Sequence, residues 1–394
     1  MDSSFSYSSS SSNIDIETPN LIGLLIVAYV VPVFSVLGGV NGGQIIIPLY
    51  SLILNKDVKD VVFYSLITIC GGAIIKAVYF SIKRNNQVKN RYLTNYDLIR
   101  LTIIFNSMTS FLGYALNKVL PNIVVFIIMV LLMGVLIFKT IKNTIKIYKK
   151  KEEINDVFVV VYDNIESKIN LPTHTLENDR KGETKFDLFK NIIFSVLIAG
   201  LGAFFTFVRN IYDDLSLEAW LIYIAQIIIS MIFAFQIINE IKMQYVLRKK
   251  TKFNFIEGDI KWTDNKNFLK YGIASGFVGI ISSLVGIGGS VIMNPIMINL
   301  ELLPEVVVAT SSVSSFFSSL VATIQYIFDE KLEWVLLGLF FAGSFGALTG
   351  VLILRFLKKN LRVAITFFLT FSLIGSLILL IVTNIISFVE DGVQ

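Results

Sequence analysis

Long apolar segments alternate with short polar turns along almost the whole chain. The apolar segments cover residues 21–37, 44–54, 61–82, 97–116, 122–140, 188–208, 217–239, 268–285, 290–300, 305–328, 334–354 and 363–388. A helix needs about 20 apolar residues to cross a hydrocarbon core of ~30 Å. Eight of these segments reach that length, and the four shorter ones form two pairs, 21–37 with 44–54 and 268–285 with 290–300. The pattern therefore predicts an all-α polytopic membrane protein.

Composition supports a membrane protein and excludes several other classes. Of 394 residues, 54% are apolar and 16% are charged, and the mean hydropathy is +0.71. Soluble domains have about 45–50% apolar and about 25% charged residues. One cysteine and one histidine exclude a disulfide framework and a cysteine-based metal site. The net charge of +5 comes from basic residues beside apolar segments, so it indicates a lipid bilayer as the partner and not nucleic acid.

The polar segments divide the chain into five parts. Residues 1–20 are polar and predict a disordered tail, and 21–140 form a first membrane repeat. A mixed-charge cytosolic loop follows at 141–187, and 188–266 provide two linking transmembrane helices with a basic cytosolic segment. Residues 267–388 form a second membrane repeat.

Two glycine-rich breaks define the repeats, because they match each other at a constant spacing of 247 residues. Gly39, Gly42 and Pro48 of the first break correspond to Gly286, Gly289 and Pro295 of the second. Each break is followed by three long apolar segments. Each repeat is therefore predicted to be a glycine-broken, re-entrant helix pair plus three transmembrane helices.

The basic residues predict that the two repeats have opposite orientations. Lysine and arginine cluster in short loops on the cytosolic side of membrane proteins, and this chain has such clusters at 83–91, 139–151, 242–252 and 355–362. All four clusters lie on the same side of the membrane only if the pair 268–285 and 290–300 enters and leaves the membrane from one side. The two units are then inverted repeats. Whether the protein forms a homo-oligomer, and which membrane holds it, are left open.

Paired broken helices are typical of secondary transporters, which hold substrate near the midplane between inverted repeats. A half-helix that starts at the break presents unpaired N–H groups and the positive end of its dipole, which favour an anion. Asn41, Gln44 and Ser290 add side-chain donors there. The alternative is that the glycines only allow close helix packing. The chain contains no catalytic constellation and no phosphate loop, so no enzyme, metal or cofactor is predicted.

The glycines, the short apolar run and proline, followed by Ala309-Thr310-Ser311-Ser312 in the next segment, resemble the TauE/SafE sulfite exporter family of membrane transporters. In the first repeat, Val62-Phe63-Tyr64-Ser65 stands at the place of that small-residue run. The resemblance implies transport of small anions such as sulfite or sulfonates. The candidate substrate-binding residues are Gly39, Asn41, Gly42, Gly43, Gln44, Pro48, Lys76, Gly286, Gly288, Gly289, Ser290, Pro295, Thr310, Ser311 and Ser312.

Two questions stay open from the sequence. Lys76 lies seven residues before Lys83, about 10 Å along a helix, so it either extends to the inner surface or faces the cavity as a counter-charge. The leading function is a transporter or facilitator of small anions. A receptor or scaffold that uses the 141–187 loop is the alternative, and a cation transporter is disfavoured because acidic residues are scarce in the apolar segments.

Overall fold

The structure is a computed structural model that describes residues 18–38, 41–85, 91–135, 137–138, 185–212, 216–250, 260, 262, 265–299, 302, 304–327, 334–356, 374–375, 377–378 and 381–382. Residues 1–17 of the predicted tail and 141–184 of the predicted loop lie outside this set, as does most of the last apolar segment.

Helices make up nearly all of the described part, which confirms the all-α prediction. They are α1 (Thr18–Gly38), α2 (Gly43–Leu54), α3 (Val58–Ile82), α4 (Tyr96–Val119), α5 (Asn122–Val135), α6 (Lys185–Arg209), α7 (Leu217–Lys250), α8 (Asn265–Val285), α9 (Ser290–Asn299), α10 (Pro304–Ile327) and α11 (Trp334–Phe356).

Seven helices in the described residues are long and apolar enough to cross a membrane, namely α1, α3, α6, α7, α8, α10 and α11. Two of them, α1 and α8, have 21 residues each. The sequence pattern had placed them among the short segments. The difference arises because polar residues at each N-terminus, such as Thr18 and Asn265, extend the helix beyond its apolar run.

Helices α3 and α10 form the centre of the bundle. In their most apolar 18-residue windows, 83% of the residues of α3 and 78% of those of α10 are buried. The corresponding share is 28% for both α6 and α7, which expose large apolar side chains such as Phe207 and Phe235. A large exposed apolar surface of this kind is typical of a face that contacts lipid. The linking helices therefore lie at the periphery.

The two central helices run antiparallel. Near the start of α3, the ring of Phe63 stacks on that of Tyr326, near the end of α10, with centroids 6.2 Å apart. In the middle of both helices, the side chain of Cys70 is hydrogen-bonded to that of Ser319. As the residue number rises along α3, the number of its neighbour on α10 therefore falls.

Two other pairs of helices run parallel, each joining the first part of the chain to the second. On α4 and α8, Thr109 Oγ1 donates to Gly276 O at 2.6 Å, and Asn117 Nδ2 donates to Leu284 O at 2.7 Å. On α1 and α11, Leu25 lies beside Gly338, and four residues later Tyr29 is hydrogen-bonded to Thr349 at 3.0 Å. Under the spacing of 247 residues, α1 corresponds to α8 and α4 to α11. The pair formed by α4 and α8 therefore corresponds to the pair formed by α11 and α1.

Candidate functional site

The first break separates α1 from α2 through a glycine in the left-handed region. Gly42 has φ of 79°, and its carbonyl accepts from the N–H groups of Ile45 and Ile46 at 2.9 and 3.0 Å. A residue with a Cβ atom is strained at such a φ. Gly42 therefore allows the chain to reverse directly before α2 starts.

The second break has the same character, with two such glycines. Gly286 and Gly288 have φ of 74° and 81°, and α9 starts at Ser290. The N–H of Gly286 still donates to Ser282 O at 3.0 Å, which ends α8 in an ordinary helical bond. Between this bond and the start of α9 the backbone is irregular. Irregular backbone at membrane depth persists only where protein or a cavity surrounds it.

The two breaks touch each other directly. A Cβ atom built on Gly43 would lie 2.5 Å from the carbonyl oxygen of Ile287, and one built on Gly288 would lie 2.8 Å from Asn41 Nδ2. A further bond from the first repeat, Ser65 Oγ to Gly286 O at 3.2 Å, holds the second break. Gly43 therefore packs against the backbone of the second break and Gly288 against the side chain of Asn41, and side chains at these glycines would force the breaks apart.

The breaks meet at mid-depth of the central helices. A methyl group of Ile69, in the middle of α3, would lie 2.6 Å from a Cβ atom on Gly43. In the middle of α10, Ser315 Oγ accepts a hydrogen bond from Asn41 Nδ2. Because α3 and α10 have 25 and 24 residues, both are long enough to cross a hydrocarbon core of ~30 Å. The meeting point is therefore about equally far from both ends of the bundle.

A buried polar chain links the first break to both central helices. Lys76 Nζ of α3 donates to Asn41 Oδ1 at 2.8 Å, and Asn41 in turn donates to Ser315 of α10. Lys76 is only 4% exposed. A lysine whose ammonium extends to the membrane surface keeps that group in water. The geometry favours the alternative in which Lys76 faces inward.

Two of the candidate substrate-binding side chains next to the breaks are buried, and they have no hydrogen-bond partner among the described residues. Gln44, in the first turn of α2, is fully buried, and neither its Nε2 nor its Oε1 has a partner there. Ser290, at the start of α9, is 2% exposed and its hydroxyl is likewise unpartnered. A buried polar group without a partner costs about 1–3 kcal/mol. Such groups at the junction of two broken helices are candidates for binding a polar ligand.

The backbone adds further unpaired groups around these side chains. The first N–H groups of a helix have no partner within that helix, and both α2 and α9 start at the breaks. Pro48 lies inside α2 and has no N–H, so the carbonyl of Gln44, four residues earlier, loses its helical donor. Pro295 lies inside α9, and its side chain is outside the described part. The junction therefore contains both donors and acceptors.

Two hydroxyl residues of α10 that were not among the candidates, Ser315 and Ser318, contact the breaks. Thr310 lies in the second turn of α10, where its hydroxyl accepts from the N–H of Asn95 at 2.9 Å, and Ser311 donates to the carbonyl of Val308 in its own helix. Ser312 is buried beside them. Ser315 accepts from Asn41, and Ser318 Oγ would lie 3.1 Å from a Cβ atom on Gly289.

Further buried polar residues are not among the candidates that the sequence indicates. Ser282 and Ser283, at the end of α8, are buried and their hydroxyls have no partner in the described part of the chain. A pair of serines three residues before a glycine break is a signal that the sequence offered. Arg209, at the end of α6, is 1% exposed, stacks 3.8 Å over the ring of Phe111 and donates to Gln325 at 2.7 Å. Gly39 lies outside the described residues.

In its described part the chain is a helical bundle with seven candidate spans, built around two broken helices that meet inside it, and this fold defines an integral multi-pass membrane protein. Comparisons with known proteins agree. A family model described as "Sulfite exporter TauE/SafE" matches residues 271–386. This part of the chain is therefore similar to the TauE/SafE sulfite exporter family.

Similar proteins occur in Arabidopsis thaliana. "Sulfite exporter TauE/SafE family protein 2" is 23% identical over 328 residues, which cover 80% of this chain and 71% of that protein. Family protein 5 is 23% identical over 77% of this chain and 68% of its own length, and family protein 3 is 24% identical over 74% and 63%. No solved structure gives a significant match.

Proposed function

We propose that the protein is a secondary transporter or facilitator of small anions, with sulfite and sulfonates as its substrates, and that it binds them between the two glycine breaks. The observation that carries the proposal is the direct contact of the two broken helices at mid-depth, Gly43 against Ile287. A packing role alone explains the glycines. It does not explain why an unpartnered buried amide and hydroxyl, those of Gln44 and Ser290, lie beside them.

The proposed inverted repeats are supported by the helix directions. Corresponding helices α3 and α10 are antiparallel, which is the relation that two units of opposite orientation require. The parallel pairs α4 with α8 and α1 with α11 fit the same arrangement, because each pair joins non-corresponding helices of the two repeats. Transporters with inverted repeats bind substrate where the repeats meet.

An anion fits the donors at this junction. The N-termini of α2 and α9 offer N–H groups and the positive ends of two helix dipoles. The ammonium of Lys76 reaches the same place through Asn41. The names of the Arabidopsis relatives refer to sulfite export, which points to sulfur oxyanions within this chemical class.

Uptake into proteoliposomes tests the proposal. The purified full chain should take up labelled sulfite, and an excess of sulfonates should compete more strongly than carboxylates or cations of similar size. Ser290→Ala should lower the apparent affinity by up to about tenfold, since one lost hydrogen bond corresponds to about 0.5–1.5 kcal/mol. The matched control is Ser195→Ala, because Ser195 is equally buried but donates only to Asn191 O within α6. Uptake no faster than in protein-free liposomes would refute the proposal.

A further inference from the structure

The fully buried carboxamide of Gln44 indicates a property of the substrate in addition to the substrate's negative charge. A carboxamide offers two N–H donors and one oxygen acceptor. In the described part of the chain, neither its nitrogen nor its oxygen has a hydrogen-bond partner. Exchanging the two atoms by rotating the amide leaves the same two groups unsatisfied, so the conclusion does not depend on that assignment.

An anion that has no hydrogen atom to donate can bond to the nitrogen of the Gln44 carboxamide but not to its oxygen. The Nε2 donors of Gln44 and the hydroxyl of Ser290 can both bond to an oxyanion, but Oε1 of Gln44 needs an O–H or N–H group. The backbone carbonyl of Gln44 increases this need, because Pro48 cannot supply its helical N–H. Gln44 therefore contributes two acceptors near the first break, one from its side chain and one from its backbone.

The polar side chains of Asn41, Lys76 and Tyr50 are bonded to groups other than Gln44. Asn41 Nδ2 donates to Ser315 Oγ, and Lys76 Nζ donates to Asn41 Oδ1 at 2.8 Å. Tyr50, two turns further along α2, is hydrogen-bonded to Thr68 at 2.8 Å. The side-chain oxygen of Gln44 stays unpartnered beside these bonds.

We infer that the substrate is an anion that also donates a hydrogen bond, such as hydrogen sulfite or a hydroxyl-bearing sulfonate, and that Gln44 selects it over fully deprotonated sulfite, sulfate or simple alkanesulfonates. The inference rests on the proposed function and narrows its substrate class. Its physical basis is an asymmetry of hydrogen bonding. A site with a buried acceptor discriminates strongly against a ligand that leaves that acceptor unpaired.

A matched pair of competitors tests the inference at one pH. Ethanesulfonate and 2-hydroxyethanesulfonate carry the same charge and differ by one hydroxyl group. Their inhibition of labelled sulfite uptake is measured with the full chain in proteoliposomes. The hydroxylated compound should inhibit at about tenfold lower concentration, which corresponds to one hydrogen bond at about 1.4 kcal/mol.

Variants test whether Gln44 causes the preference for the hydroxylated competitor. Gln44→Leu keeps the approximate size of the side chain but removes both polar atoms, so the two competitors should become equally effective. The control is Gln236→Leu, because Gln236 lies on the exposed face of α7 and should leave the preference unchanged. A second measurement compares sulfite uptake below and above the second pKa of sulfurous acid. In the wild-type protein, uptake should follow the concentration of hydrogen sulfite, while inhibition by the sulfonates, which do not titrate there, should stay constant.

The outcomes separate this inference from the proposed function. Sulfite uptake that both competitors inhibit equally in the wild-type protein would overturn the donor requirement and leave anion transport standing. A preference that persists in Gln44→Leu would overturn the role of Gln44. An absence of uptake for every probe would overturn both proposals. If Gln44→Leu does not insert into liposomes, the wild-type competition and pH series still decide whether a donor is required.

Discussion

A single methyl group at Gly43 should separate the two breaks. A Cβ atom there would lie 2.5 Å from the backbone oxygen of Ile287, whereas real Cβ atoms essentially never approach a neighbour within 3.0 Å. In Gly43→Ala the breaks must therefore move apart by at least 0.5 Å, the difference between these distances. The neighbour is backbone, so no side-chain rotation relieves the contact. Gly43 is helical and does not have a positive φ, so the substitution adds no backbone strain.

The expected effect follows from the cost of overpacking, about 1–3 kcal/mol in a well-packed core. The higher helix propensity of alanine offsets up to about 1 kcal/mol of this cost. A remaining cost near 1.4 kcal/mol corresponds to a tenfold change in an equilibrium. We expect sulfite uptake to fall about tenfold, since the methyl group occupies the junction where the anion is proposed to bind. The melting temperature in detergent should fall by only a few degrees.

The matched control is Gly200→Ala on α6, where a Cβ atom would meet nothing within 4 Å. It should leave uptake unchanged, and the protein should be slightly more stable because alanine favours the helix. Both variants are compared per molecule of reconstituted protein, with labelled sulfite as substrate. Uptake by Gly43→Ala within twofold of the wild-type rate would refute the assignment of the junction as the binding site.

Three further predictions address charge, topology and packing. Lys76→Gln should reduce sulfite uptake at least about tenfold with little change in expression, because charge-assisted hydrogen bonds contribute about 1.5–3 kcal/mol; normal uptake would show that the ammonium plays no part in transport. Cysteines introduced at Lys83 and Arg355, in a background without the native cysteine, should be labelled from the same side of the membrane and one at Asn122 from the other, and labelling of the first two from opposite sides would contradict the inverted repeats. Asn117→Leu removes the donor to a carbonyl at the end of α8 and should destabilise the protein by about 1–3 kcal/mol in thermal unfolding, whereas an unchanged melting temperature would show that this bond contributes nothing.

The fold was predictable from the sequence because the bilayer imposes strong rules. Every backbone polar group in lipid must be satisfied within the protein, so apolar segments of sufficient length become helices. The breaks were predictable because glycine is the residue that adopts positive φ without strain, and Gly42, Gly286 and Gly288 all do so. The lengths of α1 and α8 were not predictable, because polar residues at the start of a helix do not contribute to an apolar run.

The side-chain network was less predictable, because it depends on the rotation of each helix about its axis. Among the hydroxyl residues of α10 the sequence pointed to Thr310, Ser311 and Ser312. Only packing decides that Ser315 meets Asn41, while Thr310 accepts from the N–H of Asn95 at the start of α4. The burial of Arg209 also depends on the rotation of its helix. Its position at the end of an apolar segment is typical of a charge in the headgroup region, but the rings of Phe111 and Tyr114 bury it.

The two halves of the junction share a backbone pattern but differ in chemistry. At the spacing that aligns the glycines, the positions of Asn41, Gln44 and Lys76 are taken in the second repeat by Gly288, Val291 and Thr323. In transporters with inverted repeats, one repeat moves against the other around a substrate site that stays in place. The amides and the ammonium that would hold the anion come from the first repeat alone, whereas the second contributes the hydroxyl of Ser290 and the N-terminus of α9. A substrate at the junction would therefore keep the same polar contacts on one side while the other side rearranges around it.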